Sequence, residues 1–277
     1  MEDDTNMDAP DYLEINQNFG QNCGETHRLA YHRIAARGDG ASAPGIVFLG
    51  GLRSDMSGTK ALWLEDWARA RGRAFLRFDY RGHGASSGAF LDGAIGDWAD
   101  DAAEAVARLT EGPQILVGSS MGGWIALILA RRMAGQNPGR VAALVGIAAA
   151  PDFTEAMWAR MGEGQQRELM EAGRIEQPSD YSDEPYVITR RLIEDGRENL
   201  VLRSPLPLPF PVRLLQGTAD ADVPPSVALR LLDHIDCPDA RLTLVKGADH
   251  RFSGPRELAL IGKTLHGVTR AVGAASG

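Results

Sequence analysis

The chain has 277 residues, of which 44% are hydrophobic, and its 29 basic and 37 acidic side chains leave a formal net charge of −8. This composition is typical of a globular protein with a sizeable core, and it excludes disorder of the chain as a whole. The acidic balance argues against a protein that follows nucleic-acid phosphates, because such proteins carry a basic stripe, so we expect no nucleic-acid partner.

Short apolar segments alternate with helical patterns along most of the chain, which is typical of β-α-β units on a mostly parallel sheet. The segments LEINQNF and HRLAYHRI predict a leading hairpin at the sheet edge. Apolar runs and helical periodicity then predict six strands, at 46–49, 74–79, 114–117, 141–147, 212–216 and 241–245, and five helices, at 59–71, 97–109, 121–133, 224–235 and from 255 onward.

Residues 152–205 interrupt this alternation. They contain helical pieces rich in Met, Glu and Arg, with no strand expected between them, which indicates an insertion. We therefore divide the chain into a first core part at 1–151, a helical cap insertion at 152–205 and a second core part at 206–277. Phe153, Met157 and Met161 recur every four residues and predict an apolar helix face that either covers a site or packs the insertion against the core.

The cysteines and the chain start give no sign of disulfides or of export. Cys23 and Cys237 lie far apart and lack the spacing of a zinc cluster or a disulfide framework. The first residues, MEDDTNMDAP, lack the basic and apolar pattern of an export signal. No apolar run approaches the roughly 18 residues that a membrane span requires. We expect a cytoplasmic protein without a membrane span, and its oligomeric state is left open.

A candidate nucleophile lies in Gly118-Ser119-Ser120-Met121-Gly122, a GxSxG pattern between an apolar strand and an apolar helix. In this context the pattern is typical of a sharp turn that raises the central serine above the carboxyl edge of a sheet. Glycines flank the serine because larger side chains would clash in so tight a turn. The sequence therefore predicts Ser120 as the nucleophile.

A serine nucleophile needs an imidazole to accept its proton and a carboxylate to orient that imidazole, in the chain order serine, acid, histidine. Asp220 in GTADADVP and His250 in GADHRF each follow a predicted strand in that order. Asp222 is the alternative acid, whereas Asp249 is less suitable because neighbours on an extended loop point apart. The remaining histidines are expected to be structural or exposed, namely His27, His32, His83, His234 and His266.

The oxyanion of an acyl transfer reaction needs two backbone N–H donors. Met121 follows the predicted nucleophile and supplies the first. Leu52, in the FLGGLRSD loop after the third strand, is the preferred second donor, with Gly51 next; the glycine pair is alternatively a plain tight turn. Arg53 and Arg81 near these loops either bind a carboxylate of a substrate or pair with acidic side chains.

Motifs for other chemistry are missing. The RGHGASSG stretch has the spacing GxGxxxG rather than that of a dinucleotide-binding loop, and no Walker A, HExxH or EF-hand pattern occurs. We therefore expect no cofactor and no metal.

Taken together, the motifs GGL, FDYRGHGASSG, GSSMGG, GTADADVP and GADHRF resemble those of the α/β-hydrolase superfamily. GTKALWLE, RFDYRGHGASSG and GPQILVGSSMGGW look like the subfamily of a mitochondrial palmitoyl-protein thioesterase that also cleaves acyl glucuronides. The resemblance implies an eight-stranded, mostly parallel sheet with helices on both faces, a cap, and a triad of Ser120, Asp220 and His250.

The leading hypothesis is a serine hydrolase that cleaves a small-molecule carboxylic ester or acyl thioester through an acyl-enzyme. One alternative is a non-catalytic scaffold of the same fold that binds a ligand or a partner. A second alternative is cofactor-free peroxide chemistry on the same triad, that is, a perhydrolase.

Overall fold

A computed structural model describes residues 9–16, 26–177 and 185–275. In these residues the chain forms twelve strands: β1 (Asp11–Asn16), β2 (Thr26–Ile34), β3 (Gly45–Leu49), β4 (Phe75–Phe78), β5 (Gln114–Ser119), β6 (Val141–Ile147), β7 (Arg174–Gln177), β8 (Tyr186–Thr189), β9 (Leu206–Pro207), β10 (Val212–Gly217), β11 (Ile235–Asp236) and β12 (Ala240–Val245). The α-helices are α1 (Thr59–Arg69), α2 (Ile95–Leu109), α3 (Met121–Gln136), α4 (Phe153–Arg160), α5 (Glu163–Ala172), α6 (Arg190–Glu198), α7 (Pro225–His234) and α8 (Pro255–Ala275).

Eight of the strands form the main sheet, in the spatial order β1-β2-β4-β3-β5-β6-β10-β12. The leading hairpin of β1 and β2 is antiparallel, and β2 also pairs antiparallel with β4. All other pairs in this sheet are parallel. The predicted eight-stranded, mostly parallel sheet is confirmed, and each predicted core strand has a counterpart.

Helices cover both faces of this sheet because its central strands are apolar on both sides. Val47 and Leu49 of β3 point into one hydrophobic cluster, which α2, α3 and α7 cover. Ile46 and Phe48 of the same strand point into a second cluster, which α1 and α8 cover. The alternation along one strand thus divides the core into two layers.

The helix bounds differ from the expected ones by a few residues. Helix α2 begins at Ile95, two residues earlier than predicted, because the carboxylate of Asp97 accepts a hydrogen bond from the backbone N–H of Ala94 (2.9 Å) and closes the first turn. Helix α1 ends at Arg69, and Gly72 follows with a φ of +61°, as expected of a residue that ends a helix.

The expectation that the insertion lacks strands is wrong. Strands β7 and β8 pair antiparallel between α5 and α6, and Ile175 and Ile188 from their inner faces are buried. Each strand has only four residues and lies within one residue of a helix, so neither shows enough alternation for its period to stand out. The boundaries at 152 and 205 stay a prediction.

The predicted apolar face of the insertion packs in two places. Phe153 meets the indole of Trp124 edge-on, with ring centroids 5.3 Å apart, and so joins the core. Met157 and Met161 instead join a small cluster within the insertion, together with Leu169 and Ile193. These methionines therefore pack against other residues of the insertion.

Cys23 lies outside the described residues, whereas Cys237 is a half-buried free thiol. Within the described chain, no helix combines the length and apolar character that crossing a bilayer requires.

Candidate active site

Ser120 occupies a sharp turn between β5 and α3. Its backbone adopts a φ of +53° and a ψ of −119°, which residues other than glycine rarely adopt. Gly118 and Gly122 permit this turn: a Cβ at Gly118 would overlap the carbonyl of Gly122, and a Cβ at Gly122 would overlap the carbonyl of Leu49. The turn thereby presses the start of α3 against the end of β3 and leaves the serine half-buried at the carboxyl edge of the sheet.

Asp220 and His250 meet Ser120 at the same edge, since the loops after β10 and β12 open there. Nε2 of His250 lies 3.0 Å from Oγ of Ser120, and Nδ1 lies 2.9 Å from Oδ2 of Asp220. The three residues that the sequence singled out, 130 positions apart at the extremes, are therefore joined in one hydrogen-bonded line.

The carboxylate of Asp220 is completely buried, but it is well supplied with donors. Burial by itself would raise the pKa of Asp220; the hydrogen bonds from His250 and from the backbone of Val223, with a further one from Gln216, outweigh burial and hold this pKa below its usual value. The side chain of His250 is 23% exposed, so the imidazole borders on solvent while its carboxylate partner does not.

Two loops supply backbone N–H groups beside Ser120. Met121 is the first residue of α3, where an N–H has no acceptor within its own helix. Gly51 lies so close that a Cβ there would be 3.5 Å from the Cβ of Ser120. Neither Gly51 nor Leu52 has an acceptor for its backbone N–H among the described residues, so both alternatives for the second donor stay open.

The competing acids differ in position. Asp222 lies near the triad and contributes its backbone N–H to Oδ1 of Asp220 at 3.0 Å. Asp249 accepts a hydrogen bond from the backbone N–H of Phe252 at 3.1 Å, within its own loop. Of the other histidines, Nε2 of His27 lies 2.8 Å from Asp101, and His83 is buried among aromatic rings.

A potential metal-binding group coincides with the same residues. Ligand atoms of Asp220, Asp222 and His250 lie within 4.8 Å of one another, and the described chain contains no other such group of three. His250 and Asp220 already engage each other through Nδ1 and Oδ2, so a metal ion on those atoms would have to replace their hydrogen bond. The donor set therefore fits an oriented imidazole better than a metal site.

The two arginines near the site have different surroundings. Arg81 is paired with Asp101 at 2.6 Å and with Asp97 at 3.6 Å, which corresponds to the ion-pair alternative. Arg53 is exposed, and its guanidinium lies over the rings of Phe90 and Tyr186. Within the described residues no carboxylate lies within ion-pair distance of Arg53.

Sequence reasoning missed several residues that support the site. The side-chain amide of Gln216, at the end of β10, donates to Asp220 at 2.9 Å. Lys60 donates to the backbone carbonyl of Arg251, next to His250. Asp79, at the end of β4, accepts bonds from the backbone of Met56 (2.6 Å) and Ala85 (2.8 Å) and so joins two loops. Of these three, Asp79 had a signal in the sequence, because it directly follows the apolar strand β4.

The mostly parallel sheet with helices on both faces and a serine at the sharp turn after β5 is an arrangement typical of α/β hydrolases, and comparison with known proteins agrees. The sequence profile described as "Alpha/beta hydrolase family" matches residues 46–259. The chain belongs to that family.

Within this family, the chain is similar to several named proteins and solved structures. The rat protein named "Palmitoyl-protein thioesterase ABHD10, mitochondrial" is 37% identical over 238 residues, which are 86% of this chain and 77% of the rat protein. Among solved structures, a putative hydrolase from Agrobacterium vitis S4 superposes with a TM-score of 0.87 at 41% identity, covering 94% of this chain and 99% of that one. Mouse alpha/beta hydrolase domain-containing protein 10 gives a TM-score of 0.81 at 33% identity, covering 95% and 99%. The predicted resemblance to this thioesterase subfamily is confirmed.

Proposed function

We propose that the protein is a serine hydrolase that cleaves a carboxylic ester or an acyl thioester, with Ser120 as nucleophile, His250 as general base and Asp220 as the acid that orients His250. The observation that carries the proposal is the continuous contact from Ser120 Oγ through His250 to the buried Asp220 carboxylate, at 3.0 Å and 2.9 Å. A hydroxyl is a weak nucleophile until a base accepts its proton, and this contact supplies the base.

In the first half of the reaction, Oγ of Ser120 attacks the acyl carbon while its proton passes to Nε2 of His250. The carbonyl oxygen becomes an oxyanion, which accepts hydrogen bonds from the N–H of Met121 and from that of Leu52 or Gly51. Asp220 holds the Nδ1–H tautomer and stabilises the imidazolium that forms. When the tetrahedral intermediate collapses, His250 returns the proton to the leaving oxygen or sulfur, and the acyl group stays on Ser120.

In the second half, water replaces the leaving group. His250 accepts a proton from the water as its oxygen attacks the acyl-enzyme, and a second oxyanion forms in the same site. Collapse of that intermediate releases the carboxylic acid, and the proton on His250 returns to Oγ of Ser120. The cycle consumes one water and needs no other reactant.

The substrate class follows from the chemistry and from the relatives. We propose an acyl ester or acyl thioester, since the rat relative is named a palmitoyl-protein thioesterase. That the substrate is a small molecule stays a prediction. We also propose that residues 152–205 form a cap that bounds the acyl site and limits water there. The mammalian relatives are named mitochondrial, so the cytoplasmic location stays a prediction.

The test is turnover of p-nitrophenyl esters and acyl thioesters by Ser120→Ala. We expect the variant to fold and to lose about 10⁶-fold in kcat, as triad knockouts do. Ser119→Ala is the matched control, because this neighbouring serine is buried in β5 and the hydrogen bonds of the His250 ring go to Ser120 and Asp220. Retained turnover in Ser120→Ala, or an equal loss in Ser119→Ala, contradicts the proposal.

Substrate preference needs a separate measurement. A panel of esters and thioesters with acyl chains of increasing length, compared by kcat/KM, separates a short-chain esterase from a long-chain thioesterase. A palmitoyl-thioesterase-like enzyme has its highest kcat/KM on long acyl thioesters.

A further inference from the structure

Arg53 joins three segments of the molecule with one side chain. Its guanidinium lies 5.0 Å from the ring centre of Phe90 and 4.9 Å from that of Tyr186. Arg53 directly follows Leu52 in the loop after β3, Phe90 begins the short 3₁₀ helix Phe90–Asp92, and Tyr186 begins β8 in the insertion. The loop that carries the candidate second oxyanion donor is therefore attached to the insertion through this cation.

The backbone at Arg53 is unusual in a way that fits a specific role. Its φ is +57°, a region that side-chain-bearing residues other than Asn and Asp seldom adopt. A cation over an aromatic face is attracted by the ring quadrupole, and here rings lie within reach on two different segments. Because no carboxylate of the described chain lies within ion-pair distance of Arg53, these two rings are the groups that the guanidinium contacts.

Phe90 is itself held by a buried aromatic cluster that reaches back to the same loop. Its ring stacks on Trp98, with centroids 5.7 Å apart and planes 19° apart, and meets His83 edge-on at 5.1 Å. His83 meets Tyr80 edge-on at 5.6 Å, and the Tyr80 hydroxyl donates to the carbonyl of Gly50 at 3.5 Å. One cluster thus contacts the loop on both sides of Gly51 and Leu52.

We propose that Arg53 is a positioning residue that couples the insertion to the oxyanion site: its contacts with Phe90 and Tyr186 hold the Gly51–Leu52 backbone where its N–H meets the developing negative charge. This inference rests on the proposed function, because it presupposes an oxyanion at Ser120. Arg53 does not itself touch the reacting atoms in this account.

The kinetic consequence is specific. Oxyanion donors stabilise the transition state more than the bound substrate, so a displaced donor lowers kcat and leaves KM nearly unchanged. A trifluoromethyl ketone adds to the serine and forms a tetrahedral oxyanion, so its affinity falls by the same factor as kcat. A merely structural role for Arg53 would change the unfolding temperature without this paired loss.

The experiment compares Arg53→Met with Arg71→Met, measuring kcat, KM and trifluoromethyl ketone affinity. Arg71 is the matched control because its guanidinium also lies over an aromatic ring, that of Trp67 at 4.3 Å, but beyond the end of α1. We expect Arg53→Met to lose about tenfold in kcat and in ketone affinity, which corresponds to two exposed cation–π contacts. Arg53→Lys keeps the charge but not the planar fork and recovers part of the loss.

Variants of Tyr186 test the same coupling from the insertion. Tyr186→Leu removes one of the two rings that Arg53 contacts, so we expect it to cause part of the Arg53→Met loss. The double variant is expected to lose no more than Arg53→Met alone. Tyr186→Phe keeps the ring and is expected to resemble the parent.

An unchanged kcat in Arg53→Met, an equal loss in Arg71→Met, or additive losses in the double variant overturns the inference. If the parent hydrolyses substrate through Ser120 while Arg53→Met matches it, only this inference fails. If the parent shows no Ser120-dependent turnover, the proposed function fails, and the inference fails with it.

Discussion

At the scale of single residues, Asp220 shows how a buried carboxylate is kept ionised. Besides His250 and Gln216, the backbone N–H groups of Asp222 (3.0 Å) and Val223 (2.8 Å) donate to it. Its folded pKa lies below the ordinary value of 3.8, so the ionised group stabilises the fold above that pH. This stabilisation is lost as the pH falls through the folded pKa.

Replacing Asp220 separates it from its closest competitor. In Asp220→Asn the amide no longer fixes Nδ1–H of His250, so the tautomer that accepts the serine proton is lost. We expect kcat to fall by about 10⁴-fold, as in other triads, while the protein still folds. Asp222→Asn is the control and is expected to retain kcat within about tenfold, roughly 1.4 kcal/mol of barrier. Steady-state ester hydrolysis measures both, and a greater loss in Asp222→Asn would make Asp222 the acid.

Which site residues the sequence revealed depends on how local their signals are. Ser120 could be predicted because its glycine neighbours are dictated by the turn itself, and His250 because chain order and strand ends restrict the choice. Gln216 could not, because its importance comes from burial next to Asp220, which only the folded chain creates. The left-handed backbone of Arg53 likewise has no signal in the residue type.

At the scale of elements, the start of α3 depends on its close approach to β3. In Gly122→Ala, the new Cβ would overlap the carbonyl oxygen of Leu49 and lie 2.5 Å from that of Gly50. We expect the free energy of unfolding to fall by about 3 kcal/mol, as in overpacked cores, and hydrolysis to fall with it. Urea denaturation gives the first quantity and ester turnover the second.

Gly135 provides the control on the same helix. A Cβ there meets nothing within 4 Å, so Gly135→Ala is expected to be neutral or to stabilise by about 0.5–1 kcal/mol. Equal destabilisation by the two substitutions would mean that helix propensity, rather than the contact with β3, governs the effect.

The loop after β4 contains a histidine that resists protonation. His83 is 3% exposed, its Nδ1–H donates to the carbonyl of Arg81 at 3.2 Å, and its buried Nε2 has no partner among the described residues. Burial lowers the pKa of His83 below 6.5, and the bond to Arg81 opposes this only in part. The unfolded chain therefore binds a proton more readily than the folded chain at mildly acidic pH.

The sign of the pH dependence follows from that difference. The contribution of His83 to the free energy of unfolding is complete above about pH 6.5 and is lost as the pH drops toward the folded pKa of His83. We expect His83→Leu to make this fall less steep, whereas His266→Leu, at an exposed position on α8, leaves it unchanged. Urea unfolding of the three proteins at pH 7.5 and 5.5 measures it, and identical slopes in parent and His83→Leu would contradict this reasoning.

Elements were predictable where their hydrophobic period is long enough to read. Helix α2 shows Trp98, Ala102 and Ala105 on one face, and all three are fully buried. Strands β7 and β8 were not predicted, because four residues next to a helix show too little alternation. Their pairing is set by contacts across the insertion.

At the scale of the whole molecule, the insertion has a small core of its own and is attached to the sheet domain by both apolar packing and polar contacts. Its cluster of buried residues is separate from the two clusters around the sheet. Arg191 of α6 pairs with Asp97 of α2 at 2.6 Å, and Asp195 accepts the backbone N–H of Gly96 at 2.6 Å. These attachments join residues about a hundred positions apart, and for that reason the sequence alone did not position the insertion.

The central claim is that His250 and Asp220 activate Ser120 as a nucleophile, and reaction with a fluorophosphonate followed by peptide mapping tests it most directly. We expect one phosphonyl group per chain, on the peptide that carries Ser120. We also expect loss of this labelling in Ser120→Ala and slow labelling in His250→Ala. Labelling of a residue other than Ser120 would contradict the claim. Labelling of His250→Ala as fast as that of the parent would contradict it as well.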